Sequence, residues 1–380
     1  MAVGWLAYKL TNSGVALGVI AAATFGPLLL FGPWAGTIVD RCDKRRLLLI
    51  VQVLTGAQAA VLGGLVLGDA ITPPLLYLLA VAGGVGYAVE SPTRNAIVAE
   101  LVAPQDIAHA VSLTSAVAAG GRVLAPVLTG PLILLAGIGW CFEAKAVCYL
   151  AAVVALRLVR RAELHAPEPA ARERGQVVAG LRYVWAVTEL RTALLLTAVV
   201  ATFGFNHQVV IPLLAERTFD GGAGTYTLLY SAMGVGAVAG ALAAGRADVD
   251  VRFLGRAALV FGMASGLVAV APVLPLAVLG AALTGATALL FITAATTLLQ
   301  KRSEPAMRGR VMALSAMVVL GGVPIGAPVV GLVAEQLGPR SALGVGAVVA
   351  VGAALATLWP ARPVHAANRE RAMPTGSARP

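Results

Sequence analysis

Residues 14–46 read GVALGVIAAATFGPLLLFGPWAGTIVDRCDKRR, and this stretch decides the fold class. Its first 26 residues carry no charged side chain, whereas six of the last seven are charged. A helix needs about 20 mostly apolar residues to cross a bilayer. The stretch therefore predicts a transmembrane helix that ends in a charged, mainly basic turn.

The same pattern recurs along the whole chain. Eleven apolar segments are long enough to be membrane spans. They cover residues 14–39, 47–67, 73–97, 107–136, 138–159, 192–214, 224–245, 253–273, 275–300, 311–335 and 341–359. Residues 1–11 are apolar over about half of a span, and we expect them to form the outer half of a truncated helix 1. A misassigned start and a real truncation are both open explanations.

The composition excludes several classes of protein. The 380 residues are 59% hydrophobic and only 12% charged, whereas soluble chains are about 45–50% apolar and about 25% charged. An ordinary soluble enzyme and a disordered chain are both excluded by this difference. The predicted fold class is all-α, a polytopic membrane protein with about 11 full spans and one partial span.

The basic residues indicate how the spans are oriented. With the turn at residues 11–14 placed outside, 23 of the 28 Lys and Arg residues fall inside and two fall outside. Positively charged loops remain on the cytoplasmic side of a membrane. We predict a multi-pass protein of a bacterial-type inner (plasma) membrane with a cytoplasmic C-terminus. The net charge of +10 is then a topology signal with some contact to membrane lipids, and no nucleic-acid partner is expected.

A polar interruption divides the chain near its middle. Residues 160–191 predict a cytoplasmic linker with an amphipathic helix near residues 177–185. The linker separates an N-terminal helix bundle, residues 1–159, from a C-terminal one, residues 192–359, and residues 360–380 predict a disordered cytoplasmic tail. A shift of 201 residues places Pro104 on Pro305 and Gly130 on Gly331. Weak internal symmetry of this kind is typical of transporters with duplicated halves.

The charged turn after the second helix contains the most specific motif of the chain. Its residues are Gly36, Asp40, Arg41, Lys44 and Arg45. Gly36 allows a neighbouring helix to approach closely, and a carboxylate at a membrane edge is costly unless it is paired. We expect Asp40 and Arg41 to form gating contacts, and Arg45 to reach a carboxylate across the two halves. A basic turn that only fixes the topology is the alternative, and for Lys44 it is the expected role.

This motif resembles the signature between helices 2 and 3 of the major facilitator superfamily. It departs from the common form at Asp43, where that form has a glycine. The variant is similar to the bacterial subgroup of enterobactin exporters and transmembrane secretion effectors. The resemblance implies two six-helix bundles around a central cavity and secondary active transport by alternating access. The second half has Ala244 and Gly245 at the corresponding place, so the predicted gate is asymmetric.

A second motif lies in the fifth helix and comprises Gly121, Arg122, Ala125, Pro126 and Gly130. It resembles a degraded form of the antiporter motif of the same superfamily, with Ala125 in place of a glycine. The resemblance implies proton antiport only weakly. Pro126 removes a backbone hydrogen bond and is expected to bend the helix. A kinked and closely packed helix without a coupling role is an equally good interpretation.

Charged and polar residues within apolar segments are candidates for a substrate or proton site, because burying them in a membrane is expensive. The candidates are Glu90, Arg94, Glu143, Asn206 and His207. Glu90 and Arg94 are four residues apart, so a local ion pair is the alternative to a transport role. For His207, a hydrogen-bonded packing residue is the alternative to a coupling group.

Two further cations occupy apolar segments. Arg122 is predicted to face the bundle interior, with Glu90 or Glu143 as its partner. Lys145 lies near the outer end of helix 6, where extension of its side chain to the membrane interface is the expected role and substrate or proton binding is the alternative.

The expected function is efflux of an amphipathic small molecule, a drug or a siderophore, by a monomeric proton antiporter. An importer or lipid transporter of the same fold and a truncated, non-transporting remnant are the alternatives. The sequence contains no Gly-x-x-x-x-Gly-Lys-Ser/Thr phosphate loop, and its four histidines lack the spacing of metal ligands. We therefore expect no enzyme activity, no cofactor and no metal.

Overall fold

The structure, a computed structural model, describes residues 1–160, 176–244 and 248–359. These residues form helices joined by short connections, with no strand among them. The helices α1 to α14 are Ala2–Thr11, Gly14–Arg41, Lys44–Leu67, Pro73–Glu100, Ile107–Leu135, Ile138–Leu158, Gln176–Ala186, Thr188–Gly204, His207–Arg217, Gly222–Ala244, Val251–Val270, Leu274–Arg302, Pro305–Leu337 and Pro339–Leu358. A single 3₁₀ turn, Pro104–Asp106, precedes α5.

Most of these helices have the length and the apolar composition of a membrane span. Within the described residues, ten segments meet both criteria, with α8 and α9 counted as one segment. The further predicted span, residues 107–136, corresponds to α5, a helix of 29 residues. The prediction of an all-α, multi-pass membrane protein is confirmed.

The two halves of the chain pack against each other through two pairs of helices. Helix α2 packs on α13, and α5 packs on α10. The sequence repeat relates α5 to α13, and its two matched glycines both lie at these contacts. Gly130 faces Thr227 of α10, while Gly331 approaches the backbone of α2 at Gly14. The duplicated segments therefore perform equivalent packing roles in the two halves.

The predicted span at residues 192–214 differs from the structure. It consists of two helices, α8 and α9, which are separated by a break at Phe205 and Asn206. The prediction of one continuous helix is therefore wrong at this point. The side chain of Asn206 donates from Nδ2 to the carbonyl oxygen of Thr202 at 2.6 Å. In a continuous helix that carbonyl would accept the backbone N–H of Asn206, so side chain and backbone compete for one acceptor.

The short helices α1 and α9 occupy similar places in the two halves. They have 10 and 11 residues, and each precedes a long span, α2 or α10. In the second half α8 leads into α9 and packs on α11 to α14. In the first half, a cavity lies among α1, α2, α3, α4 and α6.

Helix α7 lies within the predicted linker. The hydroxyl of Tyr183 in α7 accepts a hydrogen bond of 3.1 Å from the backbone N–H of Glu304, directly before α13. Helix α8 begins at Thr188, four residues before the predicted span at residue 192. Residues 161–175 of the linker and the tail at 360–380 lie outside the described residues, so the proposed domain boundaries remain predictions.

Candidate transport site

A buried carboxylate in α4 is the centre of a polar cluster inside the first half. The Glu90 side chain is 9% exposed, and its Oε1 lies 3.6 Å from an Nη atom of Arg94. Its Oε2 accepts a hydrogen bond of 3.1 Å from the hydroxyl of Tyr149 in α6. The local ion pair is therefore present, and Tyr149 extends it to a second helix. A transport role and the local pair are compatible, because the same carboxylate serves both.

A cavity of about 330 Å³ lies beside this cluster. Tyr149 and Lys145 line it from α6, and the Lys145 Nζ lies 5.7 Å from the centre of the Tyr149 ring. From α3, Thr55 Oγ1 and Gln58 Oε1 are buried without a hydrogen-bond partner. These polar groups give the cavity a mixed wall, in which apolar surface alternates with atoms that can bind a polar ligand.

Lys145 lines the cavity, and it is an exposed residue. Its position is compatible with ligand binding as well as with the expected role at the interface. Tyr149, Thr55 and Gln58 were not among the predicted site residues. These residues could have been selected as polar side chains within apolar segments. Helical periodicity alone, however, does not distinguish a helix face towards lipid from a face towards a cavity.

The other predicted polar residues lie elsewhere. Glu143 packs its carboxylate against Gly63 of α3 and does not line the 330 Å³ cavity. Asn206 and His207 line a separate small pocket at the break between α8 and α9 in the second half. The five candidates are thus divided among three places, and only Glu90 and Arg94 belong to the cluster.

The turn after α2 is held within the first half. Lys44 forms an ion pair with Glu100 at the end of α4. Arg45 donates to the carbonyl oxygens of Leu156 and Arg157 at the end of α6, each at 3.0 Å. Among the described residues, Arg45 forms no bridge to a carboxylate of the other half in this conformation. Lys44 also does more than fix the topology, because it pairs with a carboxylate.

Asp43 has a structural role at the position where the common motif has a glycine. Its side chain accepts a hydrogen bond of 2.9 Å from the backbone N–H of Arg46, and Asp43 is the N-cap of α3. An N-cap carboxylate stabilises a helix start, a role that a glycine fills less well. The surroundings of Gly36 and the side chains of Asp40 and Arg41 lie outside the described part of the structure, so the gating role of Asp40 and Arg41 stays a prediction.

The structure also describes only part of the helix-5 motif. Gly121 and Ala125 are exposed. Gly130 is buried, and a Cβ added there would lie 3.1 Å from the Cβ of Thr227 in α10. The structure does not describe the side chains of Arg122 and Pro126. The described part of the motif therefore supports helix packing between the halves.

A set of polar contacts joins the two halves at the end of the bundle that we predict to face outside. We call it the outer closure, and its members are Lys9, Asn12, Gly14, Glu216, Arg217 and Glu335. Lys9 lies 3.8 Å from Glu216, and Arg217 lies 3.5 Å from Glu335. Arg217 also donates to the carbonyl oxygen of Asn12 at 2.5 Å. The contacts of Lys9 with Glu216, of Arg217 with Asn12 and of Glu335 with the backbone N–H of Gly14 cross between the halves. The pair of Arg217 and Glu335 joins α9 to α13 within the second half.

Aromatic packing continues the outer closure towards the membrane interior. The ring of Trp5 in α1 stacks on that of Tyr226 in α10, with centroids 4.9 Å apart. The Tyr226 hydroxyl donates to the carbonyl oxygen of Met1 at 2.7 Å. The sequence analysis did not identify this closure, because its contacts between the halves join residues more than 200 positions apart.

Within the described residues, no group of three or more His, Cys, Asp and Glu side chains is placed to hold a metal ion.

Comparison with known sequences identifies the family. The family model described as "transmembrane secretion effector" matches residues 1–375. The staphyloferrin A transporter of Staphylococcus aureus is 26% identical over 62% of this chain, and that match spans 59% of its own length. The enterobactin exporter EntS of Escherichia coli O127:H6 is 25% identical over 90% of this chain and 82% of its own length.

Solved structures agree on the fold. The crystal structure of the nucleoside transporter NupG has a TM-score of 0.69 at 15% identity, covering 93% of this chain and 92% of the other. The D-xylose-proton symporter has a TM-score of 0.70 at 15% identity, covering 91% and 87% of the two chains. At such identities the likeness shows the fold alone. The chain belongs to the transmembrane secretion effector family of the major facilitator superfamily, whose members are membrane transporters and not enzymes.

Proposed function

We propose that this chain exports an amphipathic small molecule, a drug or a siderophore, across the plasma membrane by alternating access. The two relatives named above, a siderophore transporter and a siderophore exporter, support this substrate class. Proton antiport by a monomer is the proposed energy source. The proposed orientation places the C-terminus and the turn after α2 in the cytoplasm, where Asp40 and Arg41 act as the inner gate.

The observation that carries the proposal is the buried carboxylate of Glu90 within a membrane span. An ionisable group there is costly and marks a functional site by default. Arg94 and Tyr149 stabilise its charged form through an ion pair and a hydrogen bond. Protonation of Glu90 would weaken both contacts, so it can couple a proton to the relative positions of α4 and α6.

The His207 pocket is less suited to this task. It is lined by apolar side chains together with Asn206 and Ser265, and contains no carboxylate among its described residues. A charged imidazolium would therefore have no counter-ion there. For this reason we assign proton coupling to Glu90 and not to His207.

The test is the accumulation of amphipathic dyes, antibiotics and siderophores in bacteria that lack their own efflux pumps. We expect the chain to lower accumulation relative to an empty vector, and a protonophore to abolish the difference. Glu90→Gln should reach the membrane at normal levels and lose the proton-dependent efflux. Asp40→Asn should also lose transport if the inner gate is needed.

Asp69→Asn is the matched control for Glu90→Gln. It removes one carboxylate at an exposed turn with a φ of 52°, a conformation that asparagine tolerates. Its efflux should equal that of the unmodified chain. Normal proton-dependent efflux by Glu90→Gln would overturn the coupling assignment. Increased accumulation would favour an importer, and no difference from the vector for any compound would favour a non-transporting remnant.

A further inference from the structure

The break between α8 and α9 opens onto a small pocket in the second half. It has a volume of about 10 Å³ and is bounded by Asn206, His207, Val210, Ser265 and Gly346, among others. Asn206 comes from the break, His207 and Val210 from α9, and the other two residues from α11 and α14. The volume is close to the minimum that one water molecule requires.

Three polar atoms of the pocket residues lack a hydrogen-bond partner. They are Asn206 Oδ1, His207 Nε2 and Ser265 Oγ, and all three atoms are buried. Asn206 is 2% exposed and Ser265 is 4% exposed. The amide orientation of Asn206 is defined, because its Nδ2 donates to Thr202. Its Oδ1 is therefore an acceptor that needs a donor from within the pocket.

We propose that this pocket binds one ordered water molecule. A water molecule donates two hydrogen bonds and accepts others. It can donate to Asn206 Oδ1, while the Ser265 hydroxyl and the His207 imidazole each act as donor or acceptor. Buried waters characteristically satisfy two to four polar groups of this kind, with about three hydrogen bonds each.

The chemistry of the lining selects water over a cation. A sodium or potassium ion would find the oxygens of Asn206 and Ser265, but no carboxylate lines the described pocket. A buried, uncompensated charge is strongly disfavoured. Water carries no charge and satisfies all three side chains.

The bound water ties the broken span to α11. Asn206 lies in the break and His207 begins α9, whereas Ser265 lies on α11. The water thus replaces part of the hydrogen bonding that a continuous helix would supply at this point, and it supports the break inside the membrane. This role is independent of the proposed substrate and of proton coupling by Glu90.

Radiolytic labelling tests the proposal on the purified full chain in detergent micelles. A short X-ray pulse in ¹⁸O-water splits water molecules where they lie, and a radical scavenger suppresses attack from bulk solvent. We expect scavenger-resistant incorporation of ¹⁸O at His207, severalfold above that at Phe291, a ring with 0% exposure in the second-half core. Replacement of sodium and potassium in the buffer by a large organic cation should leave the labelling of His207 unchanged, because the bound species is water and not a metal cation.

Two serine variants separate a bound water from general hydration. Ser265→Ala deletes one partner of the water and should lower labelling at His207 severalfold. Ser303→Ala deletes an equally buried hydroxyl, which donates to Leu299 at the end of α12, and should change nothing. Labelling of His207 no higher than that of Phe291 would show a dry pocket and overturn the proposal. Labelling that falls when sodium or potassium is added would show a cation instead. The comparison of His207 with Phe291 in the unmodified chain remains decisive if Ser265→Ala does not fold.

Discussion

Two cations in the turn after α2 differ in burial although one residue separates them. The side chain of Lys44 is 21% exposed and pairs with Glu100, which is 11% exposed. Arg46 is 67% exposed and pairs with Asp43, which is itself half exposed. Exposed pairs contribute little because water and salt screen them. Removing one partner of a shielded pair leaves a desolvated charge without a counter-ion. Substitution of Lys44 and of Arg46 therefore compares the loss of a shielded pair with the loss of an exposed one.

We predict that Lys44→Met lowers the free energy of unfolding by about 1–3 kcal/mol, because it leaves the Glu100 carboxylate shielded and without its partner. Arg46→Met should have no measurable effect on stability. Denaturation of both variants in detergent micelles measures the difference. Equal stability of the two variants would mean that the turn fixes topology only, which was the role first expected for Lys44.

At the scale of the element, α13 approaches the broken span very closely. A Cβ added at Gly326 would overlap the carbonyl oxygen of Thr202, the same oxygen that accepts the Asn206 side chain. The absent side chain at Gly326 therefore lets α13 pack directly on the end of α8. Gly344 in α14 is a suitable comparison, because a Cβ there meets nothing within 4 Å.

Gly326→Ala is expected to destabilise the protein by about 1–3 kcal/mol, the usual cost of overpacking a filled interior. Gly344→Ala should be neutral or stabilising by up to about 1 kcal/mol, since alanine favours a helix more than glycine. Thermal or chemical unfolding in micelles provides the measurement. If both substitutions stabilise the chain, the close approach of α13 to Thr202 is incorrect.

Sequence patterns predict the spans because an uncharged run of sufficient length has few alternatives in a membrane. They do not predict the break at Asn206, since competition for the Thr202 carbonyl depends on local geometry and on the approach of Gly326. The charged candidates illustrate the same limit. Glu90 and Arg94 are four residues apart and could be paired from spacing alone, whereas Tyr149 joins them from another helix.

At the scale of the whole molecule, close packing and charge pairing reinforce each other at the outer closure. Glu335 pairs with Arg217 and also accepts a hydrogen bond from the backbone N–H of Gly14 at the start of α2. Four residues further along, Gly18 lies directly against the backbone of Ala327 in α13. Transport by alternating access requires the two halves to separate at this end. Separation must break these contacts together, because Arg217 and Glu335 pair with each other and each also contacts the first half.

A small side chain at Gly18 is expected to shift the conformational equilibrium away from the closed form. A Cβ there would lie 2.5 Å from the Ala327 carbonyl oxygen and 2.8 Å from the Pro328 Cα, so Gly18→Ala must push α2 away from α13. Gly26→Ala, two turns further along α2, adds the same atom where nothing lies within 4 Å. Only the first substitution should weaken the outer closure.

Distances between spin labels at Ala70→Cys and Pro272→Cys measure this shift, after the three native cysteines are replaced by serine. Both positions are exposed in connections at the outer end, one in each half. Gly18→Ala should increase the population with a long distance between the labels, whereas Gly26→Ala should reproduce the parent distribution.

A ligand can shift the same equilibrium only by binding the two forms with different affinity. An exported substrate should therefore alter the distribution of the parent chain, and it should require less differential affinity to populate the open form of Gly18→Ala. Identical distributions for both glycine variants would mean that contact between α2 and α13 does not hold the outer end closed.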